Sequence, residues 1–152
     1  MRKTILAILV CGFMVLGITG CGVNKNEFDI GKESDVKIIE KDVLLSVKKN
    51  TLTKTSATLI LKNDKPVEIQ YGEPYEIEIK KDGKWHKINV ELNFTLPAYI
   101  LKAKSQVEIK LDWENAYGKL ASGDYRIIKS FDIKNANDTF EKFYITAEFT
   151  IK

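Results

Sequence analysis

The sequence predicts an all-β fold in which two antiparallel sheets of about seven to nine strands in total pack face to face as a sandwich. Three observations support this prediction: apolar and polar residues alternate along short runs, turn-forming residues separate these runs, and no stretch has clear helical periodicity. A strand that is apolar on one face buries that face against a second sheet. With 44% hydrophobic and 30% charged residues, the chain has the composition of a globular domain.

The chain begins with the pattern of an export signal. Met1 to Thr4 form a short cationic start, and Ile5 to Ile18 are almost wholly apolar. This run is shorter than the roughly 20 residues that span a bilayer, which disfavours the alternative of an uncleaved membrane anchor. We therefore predict a removable signal peptide at residues 1–20.

The apolar run ends in Ile18, Thr19, Gly20 and Cys21. This tetrapeptide resembles the lipobox of bacterial lipoproteins. The resemblance implies cleavage before Cys21, a thioether from its thiol to diacylglycerol, and acylation of its new amino group by a fatty acid such as palmitate. Two or three acyl chains anchor a protein stably, because each buried methylene adds roughly 0.8 kcal/mol. The expected location is the extracytoplasmic face of the cell membrane, with Cys21 as the lipid attachment site.

The segment after Cys21 is polar and without strict period. Together with the lipidated Cys21 it predicts a flexible tether at residues 21–35, followed by one domain at residues 36–152. Because Cys11 leaves with the signal and Cys21 is modified, this domain has no free thiol and no disulfide, so packing alone stabilises it.

The clearest alternation runs from Gln106 to Trp113, where every second residue is apolar. Two more strong runs cover Tyr75 to Lys80 and Phe143 to Lys152. Weaker alternations predict further strands within 43–47, 57–61, 67–69, 88–92 and 125–133. In the last of these, Lys129 interrupts the apolar phase, and a β-bulge is expected there.

Turn residues separate the predicted strands. Asp82-Gly83 is the dipeptide of a type I′ hairpin, since both positions require positive φ. Further turns are predicted at 63–66, 121–124 and 135–138. The long connection from Asn93 to Ser105 contains Pro97 and is expected to cross between the sheets, with Ala98 to Leu101 as a possible strand.

A more specific pattern combines Leu120, Gly123 and Tyr125, where the tyrosine opens a strand. It resembles the tyrosine corner of immunoglobulin-like sandwiches, which implies that the Tyr125 hydroxyl bonds a backbone group near Leu120. The wider stretch from Tyr71 to Ile127 is similar to bacterial Ig-like domains of exported proteins. That resemblance implies the sandwich fold and an extracytoplasmic setting but no reaction.

The sequence offers little for catalysis. Its one histidine, His86, lies beside a predicted hairpin without a nucleophile elbow, and one histidine cannot supply a structural zinc site. The carboxylates alternate outward as the wet face of a sandwich does, and the polar turn at 135–138 lacks calcium-loop spacing. We expect no enzyme activity, no metal and no cofactor. The formal net charge of +3 is too small to suggest a nucleic-acid partner.

Several aromatic residues lie near predicted strand ends or turns. We predict a candidate binding surface from Tyr71, Tyr75, Trp85 and Tyr117, with core packing as the alternative. Lysines that cluster at 48–65 and 80–87 are interleaved with acids, which favours a solvated surface over a site for anionic lipid or wall polymer.

The sequence thus predicts a membrane-anchored lipoprotein whose domain is a binding, adhesion or accessory module at the cell envelope. The expected partners are the membrane, through Cys21, and an exported protein, a peptide or a cell-wall polymer. An inhibitor or chaperone of exported proteins is the first alternative. An envelope hydrolase that uses surface carboxylates is the second, and no motif supports it.

Overall fold

The computed structural model describes residues 29–38 and 41–152, which form nine strands and one helical turn. The predicted signal peptide, lipobox and lipid attachment site at Cys21 lie outside the described residues. In chain order the elements are β1 (Ile30–Glu33), β2 (Val43–Val47), β3 (Ser56–Asn63), β4 (Ile69–Lys81), β5 (Lys84–Ile88), β6 (Ala98–Leu101), β7 (Ser105–Asp112), α1 (Glu114–Tyr117), β8 (Gly123–Lys134) and β9 (Phe140–Ile151).

The strands form two antiparallel sheets. The larger sheet has the order β1-β5-β4-β8-β9, and β6 also pairs with β4. Since β8 occupies one edge of β4, strands β5 and β6 share its other edge at opposite ends. The smaller sheet has the order β2-β3-β7, and β2 packs beside β9. The predicted all-β sandwich is confirmed.

The core lies between the two sheets, on the faces that the sequence alternation marks as apolar. Burying such side chains contributes roughly 25 cal/mol per Å² of apolar surface removed from water. Trp113 and Tyr125 are fully buried, and the Trp113 indole N–H donates to the Lys54 carbonyl oxygen at 3.0 Å. The core aliphatic residues are Val43, Leu45, Leu59, Leu61, Ile69, Ile77, Ile79, Ile88, Leu101, Leu111, Leu120, Ile127, Ile145 and Ile151.

The hairpin between β4 and β5 has the predicted geometry. Asp82 and Gly83 have φ angles of 49° and 79°, so both central residues occupy the left-handed region that a type I′ turn requires. The predicted strand at Ala98–Leu101 is β6. Residues 89–97, where a weak alternation predicted a longer strand after Ile88, have no regular structure, although Val90 and Leu92 pack against the core.

The predicted bulge at Lys129 is wrong in its location. β8 pairs with β9 in unbroken register from Gly123 to Lys134. The register shift lies instead in β4, where Tyr71 opposes Phe131 and Tyr75 opposes Lys129, so the extra residues are in β4. The Lys129 side chain still points inward, because its ammonium donates hydrogen bonds to backbone carbonyl oxygens of the bulge in β4.

The predicted tether also needs correction, because β1 lies inside it. Residues 30–33 are mostly exposed and lack apolar alternation, yet they pair with the edge of β5. The chain then crosses the outer face of the larger sheet, where Ser34 Oγ accepts a hydrogen bond from the Arg126 guanidinium at 3.0 Å. The folded domain therefore includes residues before the predicted boundary at 36.

Candidate functional site

Two of the four predicted binding aromatics belong to the core. Tyr75 is 8% exposed and Tyr117 is 5% exposed, and their ring centroids are 6.4 Å apart. The Tyr117 hydroxyl accepts the Ile77 N–H at 2.9 Å, and burial raises the pKa of this phenol well above its usual range. The proposed surface role of these two tyrosines is therefore wrong, because each ring faces inward to fill the sandwich.

Trp85 lies on a different face, on the outside of the larger sheet. Its ring lies 4.9 Å from the Arg126 guanidinium carbon and 5.3 Å from Lys80 Nζ. Both distances fall within the roughly 6 Å range of cation–π contacts. Trp85 thus packs over charged side chains of its own sheet and is separate from the other three aromatics.

Beneath Trp85, a buried ion pair joins β4 to β8. Glu78 Oε2 accepts a hydrogen bond from Arg126 Nε at 2.7 Å and forms an ion pair with Nη2 at the same distance, and Glu78 is fully buried. Its second oxygen, Oε1, has no hydrogen-bond partner among the described residues. Arg126 therefore holds the Glu78 carboxylate and is itself bonded to Ser34.

Tyr71, the fourth predicted aromatic, lines a groove at the other end of β4, beside β6. Its ring centroid is 5.4 Å from that of Tyr99. The groove has a volume of about 420 Å³ and is walled by Tyr71, Phe94 and Tyr99 on one side and by β7 from Glu108 to Asp112 on the other. This volume is within the roughly 300–1,000 Å³ of typical ligand sites. We call it the β6–β7 groove.

The groove exists because two consecutive strands join different sheets. Residues 102–104 connect β6 in the larger sheet to β7 in the smaller one. Asn63 fixes this connection, since its amide donates to the carbonyl oxygens of Lys102 at 3.1 Å and Leu101 at 3.4 Å. From that junction β6 and β7 diverge, and the space between them is left open.

One wall of the groove is the free edge of β7. Among the described strands, β7 pairs only with β3. Just beyond this pairing, the backbone N–H of Trp113 donates to the Thr55 carbonyl oxygen. In an antiparallel pair the backbone N–H and C=O groups of every second residue point to the same side, so those of Leu111 and Ile109 also point towards β3. The N–H and C=O groups of Glu108 and Lys110 therefore point towards the groove.

Charged groups gather at the end of the groove near the bulge of β4. Glu73 is exposed, and its carboxylate accepts hydrogen bonds from the Thr95 hydroxyl at 2.5 Å and the Tyr99 hydroxyl at 3.3 Å. Asp112 is also exposed, and its carbonyl oxygen accepts the Tyr75 hydroxyl at 3.1 Å. Tyr75 therefore closes this end of the groove from within the core.

Lys129 holds the bulge that carries Glu73. Its ammonium donates to the carbonyl oxygens of Gly72, Glu73 and Pro74 at 2.9, 3.1 and 3.0 Å. Burial lowers the pKa of Lys129 to about 8, and the nearby Glu73 charge opposes this shift. Sequence reasoning missed this role: it considered Glu73 only among the outward carboxylates of a disfavoured acid–base pair and gave Phe94 no place in a binding surface. Pro74 within a strand-like run is the signal for a bulge in β4.

The residues of the expected tyrosine corner meet at the end of the sandwich away from the groove. The Tyr125 hydroxyl donates to the Ala121 carbonyl oxygen at 2.9 Å, four residues upstream and next to Leu120. A Cβ at Gly123 would come within 3.4 Å of the Tyr125 ring, so glycine lets the ring pass close to the backbone. Leu120 is buried beneath this turn.

Other chemistry is sparse in the part of the chain that the structure describes. His86 Nδ1 lies 3.3 Å from the Gly31 carbonyl oxygen, between β5 and β1. Residues 29–38 and 41–152 contain no group of three or more acidic, histidine or cysteine side chains placed to hold a metal. No helix among these residues is both long and apolar enough to cross a bilayer.

Comparison with protein families matches residues 39–150 to the bacterial Ig-like domain. The chain belongs to this family. The match covers nearly every strand of the sandwich, so the Ig-like domain accounts for the fold and for both sheets. Comparisons with curated proteins and with solved structures gave no match. Ig-like domains of this kind are typically non-catalytic modules that bind or adhere.

Proposed function

We propose that the chain is a membrane-anchored extracytoplasmic lipoprotein whose Ig-like domain binds a partner at the cell envelope without catalysis. The observation that carries this proposal is the order of features along the chain, in which a lipobox-like Ile18-Thr19-Gly20-Cys21 precedes an Ig-like domain at residues 39–150. The lipid fixes location, and the domain presents its grooves and edges to other envelope components.

The geometry favours binding over reaction. The exposed carboxylates near the β6–β7 groove are occupied by local hydroxyl and backbone donors, as at Glu73 and Asp112. The buried carboxylate, Glu78, is held by Arg126. A general acid–base pair needs two groups that face one substrate with different pKa values. Glu78 is buried on the outer face of the larger sheet, away from the groove that Glu73 and Asp112 share, so it cannot act together with either of them.

An inhibitor or chaperone of exported proteins is the second candidate. The free edge of β7 favours it, because both classes commonly hold a client or target in an extended conformation against a sheet edge. The two candidates separate by assay: an inhibitor gives saturable inhibition of an exported protease, whereas an adhesion or accessory module gives none.

The anchor is tested by metabolic labelling with a clickable palmitate analogue in cells that express the whole chain. We expect labelling and processing of the native chain, loss of both in Cys21→Ala, and no change in the matched control Cys11→Ala. Labelled Cys21→Ala protein would contradict the proposal, because lipid attachment would not depend on the lipobox cysteine.

The binding role is tested by crosslinking in intact cells, with partners identified by mass spectrometry. We expect a reproducible set of envelope partners for the native chain and loss of that set in Cys21→Ala. The same set in both forms would show that anchoring does not determine what the domain contacts.

A further inference from the structure

We propose that the β6–β7 groove binds an extended peptide segment, with a basic side chain near Glu73, as an added strand on the free edge of β7. This inference deepens the proposed function and rests on it, because it names the site and the chemical class of the partner.

β7 lines the groove with consecutive residues. Successive side chains of a strand point to opposite faces, yet five consecutive residues, Glu108 to Asp112, line this one space. Consecutive residues of a strand can line the same space only where the edge of its backbone, and not one of its faces, forms the wall. Glu108 and Lys110 then offer two N–H donors and two C=O acceptors, which is the ladder that an added strand requires.

The opposite wall of the groove is aromatic and contains Tyr71, Tyr99 and Phe94. In strand addition the main chain provides affinity, and pockets for alternate side chains provide specificity. Tyr99 is 42% exposed and Tyr71 is half-buried beside it, so an apolar side chain of the peptide can pack on both rings. Aromatic residues of this kind are enriched at binding interfaces.

The charge at one end of the groove selects the chemistry of the peptide. Glu73 and Asp112 are exposed carboxylates at one end of the groove, and Lys110 is the exposed cation on the β7 wall. Glu108 is already paired with Lys48 at 2.7 Å, and the Lys129 ammonium is buried against three carbonyl oxygens. The exposed end is therefore acidic and complements a lysine or arginine of the peptide.

The test uses the whole chain in detergent and a synthetic decapeptide in which lysine and valine alternate. Two comparison peptides carry glutamate in place of lysine, or N-methyl groups on the amides of one edge. We expect the lysine peptide to bind, the glutamate peptide to bind about tenfold more weakly, and the N-methylated peptide to lose binding, because it cannot form the ladder.

Three variants locate the site. Tyr99→Ala is expected to weaken binding about tenfold, whereas Tyr144→Ala, which removes an equally exposed ring (41%) from another face, leaves it unchanged. Glu73→Gln is expected to reduce the preference for lysine over glutamate. Lys110→Pro removes one groove-facing N–H and leaves the bonds of Ile109 and Leu111 to β3 in place, so binding falls while circular dichroism stays that of the native chain.

Several outcomes would overturn the proposal. Equal binding of the N-methylated peptide rules out strand addition, and no effect of Tyr99→Ala places any binding elsewhere. No peptide binding at about 1 mM excludes a useful peptide site. Binding of soluble cell-wall glycan fragments that Tyr99→Ala abolishes would assign the groove to a glycan. Self-association lost in Lys110→Pro would assign it to a second copy of the chain.

Two results separate a failure of the peptide-binding groove from a failure of the proposed lipoprotein function. If the Tyr99→Ala chain is still lipid-labelled and still crosslinks to the same envelope partners, the anchored binding module stands and the groove assignment falls. If Cys21→Ala is labelled like the native chain, the anchor fails whatever the peptide results show.

Discussion

The Tyr125 hydroxyl shows how one polar atom fixes the path of a turn at the end of the sandwich. The ring is fully buried against Phe149, at a centroid distance of 5.7 Å, and the hydroxyl donates to the Ala121 carbonyl oxygen. We expect Tyr125→Phe to lower the free energy of unfolding by about 0.5–1.5 kcal/mol, since one hydrogen bond is lost while the ring still packs. Urea denaturation measures this, with the exposed Tyr144→Phe as control; an unchanged midpoint would reduce Tyr125 to a packing role.

Lys129 combines a buried charge with three backbone acceptors. Replacement by methionine keeps much of the volume but leaves the carbonyl oxygens of Gly72, Glu73 and Pro74 without their donor. We expect Lys129→Met to destabilise the fold by about 2–4 kcal/mol at neutral pH, because buried acceptors lose their partner. The exposed Lys142→Met is the matched control on β9. Equal unfolding midpoints for the two variants would show that the bulge does not depend on Lys129.

The lowered pKa of Lys129 adds a pH dependence with a defined sign. The pKa of the amine is near its ordinary value of 10.5 in the unfolded chain and about 8 in the folded one. Between these values the unfolded state binds more protons, so the free energy of unfolding from this group rises with pH. The stability difference between the native chain and Lys129→Met should therefore grow from about pH 7 to about pH 10. A stability difference that stays constant or becomes smaller over this pH range would contradict the lowered pKa of Lys129.

Among the elements, β4 and β8 are joined by the buried pair of Glu78 and Arg126. Removing only the arginine leaves a buried carboxylate without its counter-charge, and within residues 29–38 and 41–152 Glu78 Oε1 has no hydrogen-bond partner to compensate. We expect Arg126→Met to cost about 3–5 kcal/mol, and Glu78→Leu combined with Arg126→Met to recover most of that loss. Thermal unfolding of the single and double variants measures this. A double variant as unstable as the single one would show that the pair matters for packing and not for charge.

How well each element could be predicted depends on where its determinants lie. β7 and β9 alternate because each buries one face, so their own residues define them. The β4–β5 hairpin follows from Asp82-Gly83 alone. β1 is different: its exposed residues carry no pattern, and it is a strand only because the edge of β5 is there to pair with it. Local sequence cannot show such a partner.

The candidate site was predictable only in part for the same reason. Tyr71 lies in the groove as an aromatic near a predicted strand end, but Tyr75 and Tyr117 also lie near predicted strand ends or turns and are buried. The register shift in β4 sets Tyr75 opposite the buried Lys129, and the helical turn α1 places Tyr117 in the core. The groove itself arises because β6 and β7 belong to different sheets, a property of topology that alternation along one strand does not encode.

At the scale of the whole molecule, packing between the sheets replaces any covalent link in the described fold. Both cysteines, Cys11 and Cys21, precede residue 29, so neither joins the sheets described here. Instead, the ring centroids of Trp113 and Phe149 are 5.9 Å apart, and β2 packs beside β9. Removing a native disulfide from a small domain typically costs about 2–5 kcal/mol, so a contribution of a disulfide to the stability of this chain would be easy to detect.

We therefore expect the unfolding temperature of the whole chain to be the same with and without a thiol reductant. Trp113→Leu should lower it by several degrees, because about 2 kcal/mol or more of core packing is lost. The control is a chain with both Cys11→Ser and Cys21→Ser, which should unfold like the native chain. A reductant-induced fall in the native chain, absent from this control, would mean that a disulfide contributes to stability. An unfolding temperature that is unchanged by reductant but lower in Trp113→Leu would show that packing of the aromatic core holds the two sheets together.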